Sequence, residues 1–309
     1  MGILKKRGTI GLVGLMVLII TFSLCLPMMA SCGKGNSWSR MHSGTTQELW
    51  DVWGTSPSDV FAVGRDGVIL HYDGSAWTSM NSGTTKWLEE IWGTSSSDVF
   101  AVGAGAIVHY DGITWSTMDS GKGLRGVWGS SASDVFAVGG NSLIRHYDGT
   151  TWSSMALATE YNFNGVWGSS SSDVFAVGID KYGGVILHYD GTSWTRMEIS
   201  TPGIVWTIWG TSAANVFAIG DAGTILHYNG TNWESMESGT QDNLWDIWGS
   251  SASDVYAVGI YNTILHYNGI SWSQMHSSTT AGLYGIWGSS SSDIFIVGPE
   301  GAILHYRSK

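Results

Sequence analysis

Seven histidines, each followed by a tyrosine, recur along the chain and are the first residues whose spacing could support chemistry. Imidazole is a common zinc ligand, and a zinc site needs three or four ligands that converge on one ion. One histidine in each repeat would be dispersed around the molecule, so we predict a hydrogen-bonding or packing role and neither a metal nor another cofactor. These residues are His71, His109, His146, His188, His227, His266 and His305.

An aspartate precedes six of these histidines at a similar distance, and Asn215 takes its place in the fifth repeat. Carboxylate and amide side chains of this kind accept backbone N–H bonds in tight turns. We therefore predict that each holds a turn and has a structural role. The aspartates are Asp59, Asp98, Asp134, Asp173, Asp254 and Asp293.

Four further acidic residues are candidates for acid–base catalysis, namely Asp51, Glu89, Glu90 and Asp246. Paired carboxylates at a suitable separation can cleave a glycosidic bond. Adjacent strand residues such as Glu89 and Glu90 are expected to point to opposite faces, which argues against that pair. The sequence has no Gly-x-Ser-x-Gly elbow and no His-x-x-x-His pair. We predict a protein that is not an enzyme, with a polysaccharide-acting hydrolase or lyase as the alternative.

A sevenfold repeat supplies the elements that position these residues. Within each repeat, four short runs rich in Val, Ile, Phe, Tyr and Trp are separated by Ser, Gly, Asp and Asn, which predicts four antiparallel strands, here called A to D. A unit of this length with four strands has the size of one β-propeller blade. The sequence thus predicts an all-β, seven-bladed propeller of four-stranded antiparallel blades. The Trp-Gly pairs that mark the repeats begin at Trp53, Trp92, Trp128, Trp167, Trp209, Trp248 and Trp287.

The two ends of the repeat array are incomplete in complementary ways. The last repeat stops at "GAILHYRSK" without a strand D, and an isolated copy of the strand D motif, Gly35-x-x-Trp38-x-x-Met41, stands near the N-terminus. We predict that residues 35–41 close the ring as strand D of the blade that starts at Leu283. A single propeller domain then covers residues 35–309. The strand D tryptophans and methionines are predicted to pack between neighbouring blades.

The first 31 residues are predicted to be a lipoprotein signal peptide. Three basic residues precede an apolar run over positions 10–26, and "MMASC" resembles a lipobox with Cys32 as the lipid attachment site. Residues 32–34 would then be a short lipid-anchored tether. An uncleaved anchor is the alternative, because roughly 20 apolar residues can cross a bilayer. Gly33 lacks the Asp associated with inner-membrane retention, so we expect a lipid-anchored envelope protein, in the outer membrane if the host has two membranes.

The charge of the chain restricts its partners. Its formal net charge is −11, and because the leader holds three of the 14 basic and none of the 25 acidic residues, the mature chain would carry −14. Such an acidic protein is a poor candidate for nucleic acid binding, where cationic side chains supply the affinity. The mature chain would have one cysteine, so it has no internal disulfide, and we expect a monomer.

The repeat motifs resemble known propeller families. "ILHYDGTSW" and "ILHYNGTNW" resemble the Asp-box turns of sialidase-like propellers, and "VFAVG" before "GTILHY" is similar to the photosystem II assembly factor family. "WGSSSSDVFAVG" with "HYDGTTW" is most similar to secreted or lipid-anchored bacterial repeat proteins. These resemblances imply the fold and no particular activity. A sialidase would need three converging arginines, whereas Arg65 and Arg125 are the two expected near the loop-rich face.

Function is expected where equivalent positions of the repeats differ, and they differ most three residues before each Trp-Gly pair, at the start of strand A. In ring order, four neighbouring blades carry aromatic residues there and three carry polar residues. We predict that this ring binds a protein, peptide or glycan around the central axis. The alternative is that the aromatics only pack between blades. The residues are Trp50, Trp206, Trp245 and Tyr284 in the aromatic arc, and Glu89, Arg125 and Asn164 in the polar part.

The topology also predicts which way this ring faces. Strand A begins on the same face as the loops between strands B and C, and strand D begins on the opposite face. Cys32 lies six residues before Trp38, so the tether spans at most roughly 20 Å. The lipid is therefore expected on the face opposite the aromatic arc.

Overall fold

The computed structural model describes residues 37–120, 122–157, 159–277 and 281–308, which form seven four-stranded antiparallel sheets. Strand β1 (Ser37–Met41) belongs to blade 7. Blade 1 contains β2 (Leu49–Ser56), β3 (Asp59–Gly64), β4 (Ile69–Tyr72) and β5 (Trp77–Met80), and blade 2 contains β6 (Glu90–Ser95), β7 (Asp98–Gly103), β8 (Ala106–Tyr110) and β9 (Trp115–Asp119). Blade 3 contains β10 (Leu124–Ser131), β11 (Asp134–Gly139), β12 (Ile144–Tyr147) and β13 (Trp152–Ser154).

The remaining blades follow the same order. Blade 4 contains β14 (Asn162–Ser170), β15 (Asp173–Asp180), β16 (Gly183–Tyr189) and β17 (Trp194–Arg196), and blade 5 contains β18 (Val205–Ser212), β19 (Asn215–Gly220), β20 (Ile225–Tyr228) and β21 (Trp233–Ser235). Blade 6 contains β22 (Leu244–Ser251), β23 (Asp254–Gly259), β24 (Ile264–Tyr267) and β25 (Trp272–Met275), and blade 7 contains β26 (Gly285–Ser290), β27 (Asp293–Val297) and β28 (Ile303–Arg307). Short 3-10 turns at Arg65–Gly67, Asp221–Gly223, Ile260–Asn262 and Pro299–Gly301 join strands B and C in four blades. The predicted seven-bladed propeller is confirmed.

The N-terminal strand closes the ring as predicted. Strand β1 pairs antiparallel with β28, and Trp38 lies opposite Tyr306 with ring centroids 5.1 Å apart. Blade 7 therefore takes three strands from the C-terminal end of the chain and one from the N-terminal part, which leaves no unpaired outer edge on β28. Residues 35 and 36 of the predicted closing strand lie outside the described residues.

The Trp-Gly pairs join each blade to the next. The Trp53 indole of blade 1 covers Gly93 of blade 2 so closely that a methyl group on Gly93 would lie 2.7 Å from the indole. Trp287 of blade 7 covers Gly54 of blade 1 in the same way, with an equivalent distance of 2.9 Å. Glycine is needed here because a large aromatic ring occupies the space that any side chain would fill. The motif that marks each repeat is thus an inter-blade contact.

The strand B phenylalanines form the buried core between blades. Phe61 is 1% exposed and lies 4.4 Å from the His71 ring of its own blade and 6.4 Å from Trp115 of the next, between ring centroids. On the side of blade 1 that faces blade 7, the Trp77 indole donates a hydrogen bond to the Met41 sulfur at 3.5 Å. These contacts confirm that strand D tryptophans and methionines pack between neighbouring blades.

The recurring histidines and aspartates bond to one another. His71 Nε2 lies 2.7 Å from Asp59 Oδ1, and the other oxygen of Asp59 accepts a hydrogen bond from the Thr55 hydroxyl. An equivalent contact between the strand C histidine and the aspartate occurs in the other blades, with Asn215 in place of the aspartate opposite His227. The predicted hydrogen-bonding role of the histidines is confirmed. The aspartates are structural, but they bond to side chains where backbone N–H partners were predicted.

The turns between strands C and D hold their shape through an acidic or amide side chain. Asp73 Oδ1 accepts backbone N–H bonds from Ser75 at 2.8 Å and Ala76 at 2.9 Å, together with one from the Ser75 hydroxyl. These bonds lower the pKa of Asp73 to about 2, and the bond from the Ser75 hydroxyl contributes most. In blade 7 Arg307 stands at this position, where no such turn is needed because strand D comes from the N-terminal part of the chain.

Several predictions fall outside the part of the chain that the structure describes. These are the signal peptide at 1–31, the lipid attachment site Cys32 and the tether at 32–34. Among the described residues, no helix has the length and apolar character needed to cross a membrane.

Candidate functional site

A cavity of about 560 Å³ lies on the propeller axis where the seven A strands begin. All seven residues that stand three positions before a Trp-Gly pair line this cavity. We call it the axial cavity; its lining also includes Asp51, Trp87, Glu90, Thr207, Asn243 and Asp246. The structure thus brings together the whole set of residues predicted from the sequence, and their role in ligand binding stays a prediction.

A β-bulge in strand A aims these side chains at the axis. In blade 1, Leu49 pairs with Gly64 and Asp51 pairs with Val63, so Trp50 is an extra residue without a partner. The same register shift occurs in blades 3 to 6. A bulge bends its strand and re-aims a side chain, and bulges are common beside functional sites.

The bulge also overturns one expectation from the sequence. In blade 2 the backbone N–H of Glu89 donates to Val102 O at 2.7 Å, while Glu90 is the residue that pairs with Val102. Two residues therefore oppose one, and strict alternation of side chains fails at this point. Glu89 and Glu90 both line the axial cavity, so the prediction that they point to opposite faces is wrong.

Aromatic side chains form one wall of the axial cavity. The ring centroids of Trp245 and Tyr284 are 5.0 Å apart, and those of Trp50 and Trp87 are 5.3 Å apart at an angle of 74°. Trp206 is held by a hydrogen bond from its Nε1 to Asp221 Oδ1 at 2.8 Å. Four of these five rings are half-buried, and Trp87 is exposed.

Trp87 was missed in the sequence because it stands five residues before its Trp-Gly pair, in the loop that precedes strand A. Its side chain is 43% exposed, and the Arg65 guanidinium lies over its ring at 5.4 Å. Comparison of the seven equivalent positions would have found it, since the other repeats carry no aromatic residue there. Those positions are Glu48, Gly123, Asn162, Ile204, Asn243 and Gly282.

The loops between strands B and C lie beside the axial cavity, as predicted. Arg65 of the blade 1 loop contacts Trp87, and Asp221 of the blade 5 loop bonds to Trp206. Tyr182, at the tip of the blade 4 loop, is 77% exposed and does not belong to the cavity lining. The cavity therefore opens on the loop-rich face.

The polar wall contains one guanidinium. Arg125 Nη1 donates to Asn164 Oδ1 at 2.7 Å, and burial raises the pKa of Glu89, an effect that the Arg125 charge opposes. Arg65 pairs with Glu48 at 3.5 Å and is not part of the lining. Arg125 is the one arginine of the described residues that lines the cavity, so the three converging arginines of a sialidase are not assembled there.

Three carboxyl groups lie deeper and bridge neighbouring blades. Asp51 accepts from Ile91 N at 2.9 Å, Glu90 accepts from Val127 N at 2.7 Å, and Asp246 accepts from Ile286 N at 2.7 Å; these bonds link blades 1 and 2, 2 and 3, and 6 and 7. Each carboxyl thus satisfies a backbone donor at the start of the next blade's innermost strand.

Burial dominates the ionisation of this trio. It raises the pKa of Asp51 to about 7, and it raises the pKa values of Glu90 and Asp246 well above their usual range, with further contributions from the negative charge of Asp51. Both effects disfavour the ionised form. Across the described ranges, no group of three or more His, Cys, Asp or Glu residues is arranged to hold a metal ion.

Comparisons with known proteins identify the fold. No protein-family model matches the sequence, and no curated protein matches it. Among solved structures, "YCF48 bound to D1 peptide" is 17% identical, with a TM-score of 0.73 over 89% of this chain and 96% of that one. Virginiamycin B lyase from Staphylococcus aureus is 13% identical, with a TM-score of 0.76 over 89% of this chain and 100% of the other. YCF48 from Cyanidioschyzon merolae is 16% identical, with a TM-score of 0.69 over 88% and 98%.

At such identities the likeness shows the propeller fold alone. It supports the predicted resemblance to the propellers of the photosystem II assembly factor family. The resemblances to Asp-box propellers and to lipid-anchored bacterial repeat proteins stay predictions. One of these solved propellers is bound to a peptide and another is a lyase, so the fold is compatible with a binding scaffold and also with an enzyme.

Proposed function

We propose that this protein is a non-catalytic binding or scaffold protein that holds part of a protein, peptide or glycan in the axial cavity. Ligand sites in proteins are concave, have volumes of roughly 300 to 1,000 Å³, and combine apolar or aromatic walls with a few polar groups. The axial cavity, with its aromatic wall and its Glu89, Arg125 and Asn164 wall, fits that description.

The observation that carries this proposal is that the aromatic residues fall into three sets with different contacts. Trp53 and its equivalents cover glycines of the next blade, and strand D tryptophans such as Trp115 pack on buried phenylalanines. Trp50 contacts Trp87, and Trp245 contacts Tyr284 and lies beside Gly282. Unlike the other two sets, these rings also line an open cavity. Exposed aromatic rings lose contact with water when a ligand covers them, which favours binding at this place.

The protein is further proposed to be lipid-anchored in the cell envelope through Cys32, with the axial cavity facing away from the membrane. The pairing of Ser37 with Arg307 supports this orientation, because Arg307 ends β28 on the face opposite the loop that precedes Ile303. A short tether before Ser37 would then hold that opposite face near the lipid. Cys32→Ser should abolish metabolic labelling with radioactive palmitate and release the protein from the membrane fraction; retained labelling would contradict the proposal.

The binding proposal is tested with Trp50→Ala and Trp245→Ala, and with Tyr182→Ala as a control that removes an exposed aromatic of the same face outside the cavity. Each protein is applied to a glycan array and a peptide array, and its melting temperature is measured. We expect the two cavity variants to lose the wild-type signals and to keep their melting temperatures within a few degrees. Unchanged signals with strongly lowered melting temperatures would assign the tryptophans to packing.

A polysaccharide-acting hydrolase or lyase is the second candidate, and one observation favours it. Glu89 and Glu90 line the same cavity, and both have raised pKa values, as general acids do. Against it, Asp51, Glu90 and Asp246 each accept a backbone hydrogen bond from the next blade. Turnover of model glycosides or uronate-containing polysaccharides that Glu89→Gln abolishes would establish the enzyme; no turnover is expected.

A further inference from the structure

We propose that the axial cavity binds an organic ammonium group, such as the side-chain amine of a lysine in a peptide. This inference rests on the proposed binding function and specifies the chemistry of the ligand. Three features of the cavity support it: the balance of charges in its lining, the arrangement of its aromatic rings, and a cation of the chain itself that already lies on one of these rings.

The charges of the lining favour a cation. Four acidic side chains, Asp51, Glu89, Glu90 and Asp246, line the cavity together with one basic side chain, Arg125. Arg125 is engaged by Asn164 and lies near Glu89, so it does not neutralise the deeper carboxyls. Burial favours the neutral forms of the deeper carboxyls while the cavity is empty, and a bound ammonium group would favour their ionised forms and complement them, whereas an anionic ligand would gain no such partner.

The aromatic rings can surround such a group. Trp50 and Trp87 meet at 74°, and Trp245 and Tyr284 meet at 51°, so the faces of each pair are not parallel and differ in orientation along the cavity wall. A cation within about 6 Å of an aromatic face is attracted by the ring quadrupole, and aromatic cages are a general means of recognising ammonium ligands. Arg65 already occupies such a position, 5.4 Å from the centroid of Trp87.

The deeper carboxyls provide hydrogen-bond acceptors. Glu90 uses Oε2 for its bond to Val127 N, which leaves Oε1 available to an ammonium donor. A carboxylate in a site of low polarity is unfavourable until an opposite charge compensates it. In the empty cavity burial therefore favours the protonated form of Glu90; a bound ammonium group would favour the ionised form and donate a hydrogen bond to it, whereas an uncharged glycan would not.

Binding should therefore depend on pH. The charged groups that face the trio Asp51, Glu90 and Asp246 are one another, together with Glu89 and Arg125. Burial raises the pKa of Asp51 to about 7 and those of Glu90 and Asp246 well above their usual range, and a bound cation favours the ionised forms. The affinity should rise as the pH increases from 6 to 8.5, and binding near pH 7 should release protons to the buffer.

The experiment uses three probes at constant ionic strength, followed by quenching of tryptophan fluorescence. They are Nα-acetyl-lysine methylamide, its uncharged counterpart Nα-acetyl-norleucine methylamide, and cadaverine as a free diamine. We expect the lysine derivative to bind at least about tenfold more tightly than the norleucine derivative, the range that a cation–π contact with a desolvated cation supplies. Tighter binding of the lysine derivative than of cadaverine would identify a peptide side chain as the source, and the reverse order would identify a free amine.

Two variants, together with the glycan and peptide arrays described above, distinguish failure of the ammonium inference from failure of the proposed function. The Trp50→Ala protein should bind the lysine derivative more weakly than the wild type does, and the Tyr182→Ala protein should bind it with the wild-type affinity. Equal affinities for the lysine and norleucine derivatives, or quenching that Trp50→Ala does not change, would overturn the ammonium inference. If an uncharged glycan or lysine-free peptide still binds in a Trp50-dependent manner, the proposed function survives that result; if nothing binds in this manner, both fail.

Discussion

Glu90 of the second blade accepts a hydrogen bond from the backbone N–H of Val127 in the third blade, at 2.7 Å. Asp51 and Asp246 make equivalent bonds to their next blades. Blade 5 has Thr207 at this position, and the other three blades have glycine, where the innermost strands approach closely: a methyl group on Gly285 would lie 2.7 Å from the Asp51 backbone. The inner ring therefore contains both carboxyl-bridged and directly packed junctions, and the bridged ones supply deeper acidic residues of the axial cavity.

The first prediction concerns the pH dependence of stability. A carboxyl whose folded-state pKa is raised binds more protons in the folded chain, so the free energy of unfolding decreases as pH rises from about 4 through the folded-state pKa. Burial raises the pKa of Glu90, and Glu90→Gln keeps an acceptor for Val127 N without the ionisable group. We expect this variant to melt about 2 to 4 °C above wild type at pH 8, the shift that roughly 1 kcal/mol causes in a domain of this size.

At pH 5 the same two proteins should melt within about 1 °C of each other, since the raised pKa of Glu90 favours its neutral form at low pH. Burial lowers the pKa values of His227 and His305, which gives stability the opposite pH dependence. These two histidines are present in both proteins and affect them equally, so the difference in melting temperature between the two proteins reports on Glu90. A Glu90→Gln protein that is less stable than wild type at pH 8 would contradict the assignment.

The second prediction concerns ring closure. Trp38 is 9% exposed and packs on Tyr306, so Trp38→Ala should lower the free energy of unfolding by about 3 kcal/mol in guanidinium titrations. Trp87→Ala is the matched control, because Trp87 is 43% exposed and the substitution should cost less than about 1 kcal/mol. Removal of residues 35–41 should cost more than either substitution, since it also removes the strand pairing with β28. Unchanged unfolding of the truncated protein would refute the closure.

The third prediction concerns the contact between the Trp-Gly pairs. Gly93→Ala would place a methyl group 2.7 Å from the Trp53 indole and equally close to the Asp98 carbonyl, so we expect a loss of about 1 to 3 kcal/mol from overpacking. Gly105→Ala is a suitable control, because its methyl group would meet the flexible Lys86 side chain at 3.3 Å. Equal melting temperatures of the two variants would show that the indole can move aside.

The fourth prediction uses a substitution that the chain already contains. Asn215 occupies the aspartate position in blade 5 and lies 2.7 Å from His227, as Asp134 lies from His146 in blade 3. Asp134→Asn should therefore cost less than about 1 kcal/mol, whereas Asp134→Ala should cost about 1 to 3 kcal/mol because His146 loses its partner. Denaturant titrations decide between them. An equal cost for both would mean that the carboxylate charge, and not the hydrogen bond, stabilises the pair.

The sequence allowed the blade count, the closing strand and all seven ring residues such as Trp50 to be predicted, because repeated and variable positions can be read by aligning the repeats with one another. It did not reveal that Glu89 and Glu90 share a cavity, since a bulge depends on how strand A pairs with strand B. It also did not show that Asp51 bonds to Ile91, which depends on the packing of separate blades. Trp87 was overlooked because it stands in a loop outside the strand pattern.

The most direct test of the account is a titration of three proteins with the same Nα-acetyl-lysine methylamide probe at pH 8. Glu89→Gln removes an acidic side chain from the lining of the axial cavity, and Arg125→Gln removes the one guanidinium among the described residues that line it. If the cavity binds an ammonium group, Arg125→Gln should bind the probe several-fold more tightly than wild type, and Glu89→Gln several-fold more weakly. Equal affinities in all three proteins, or the reverse order, would contradict the account.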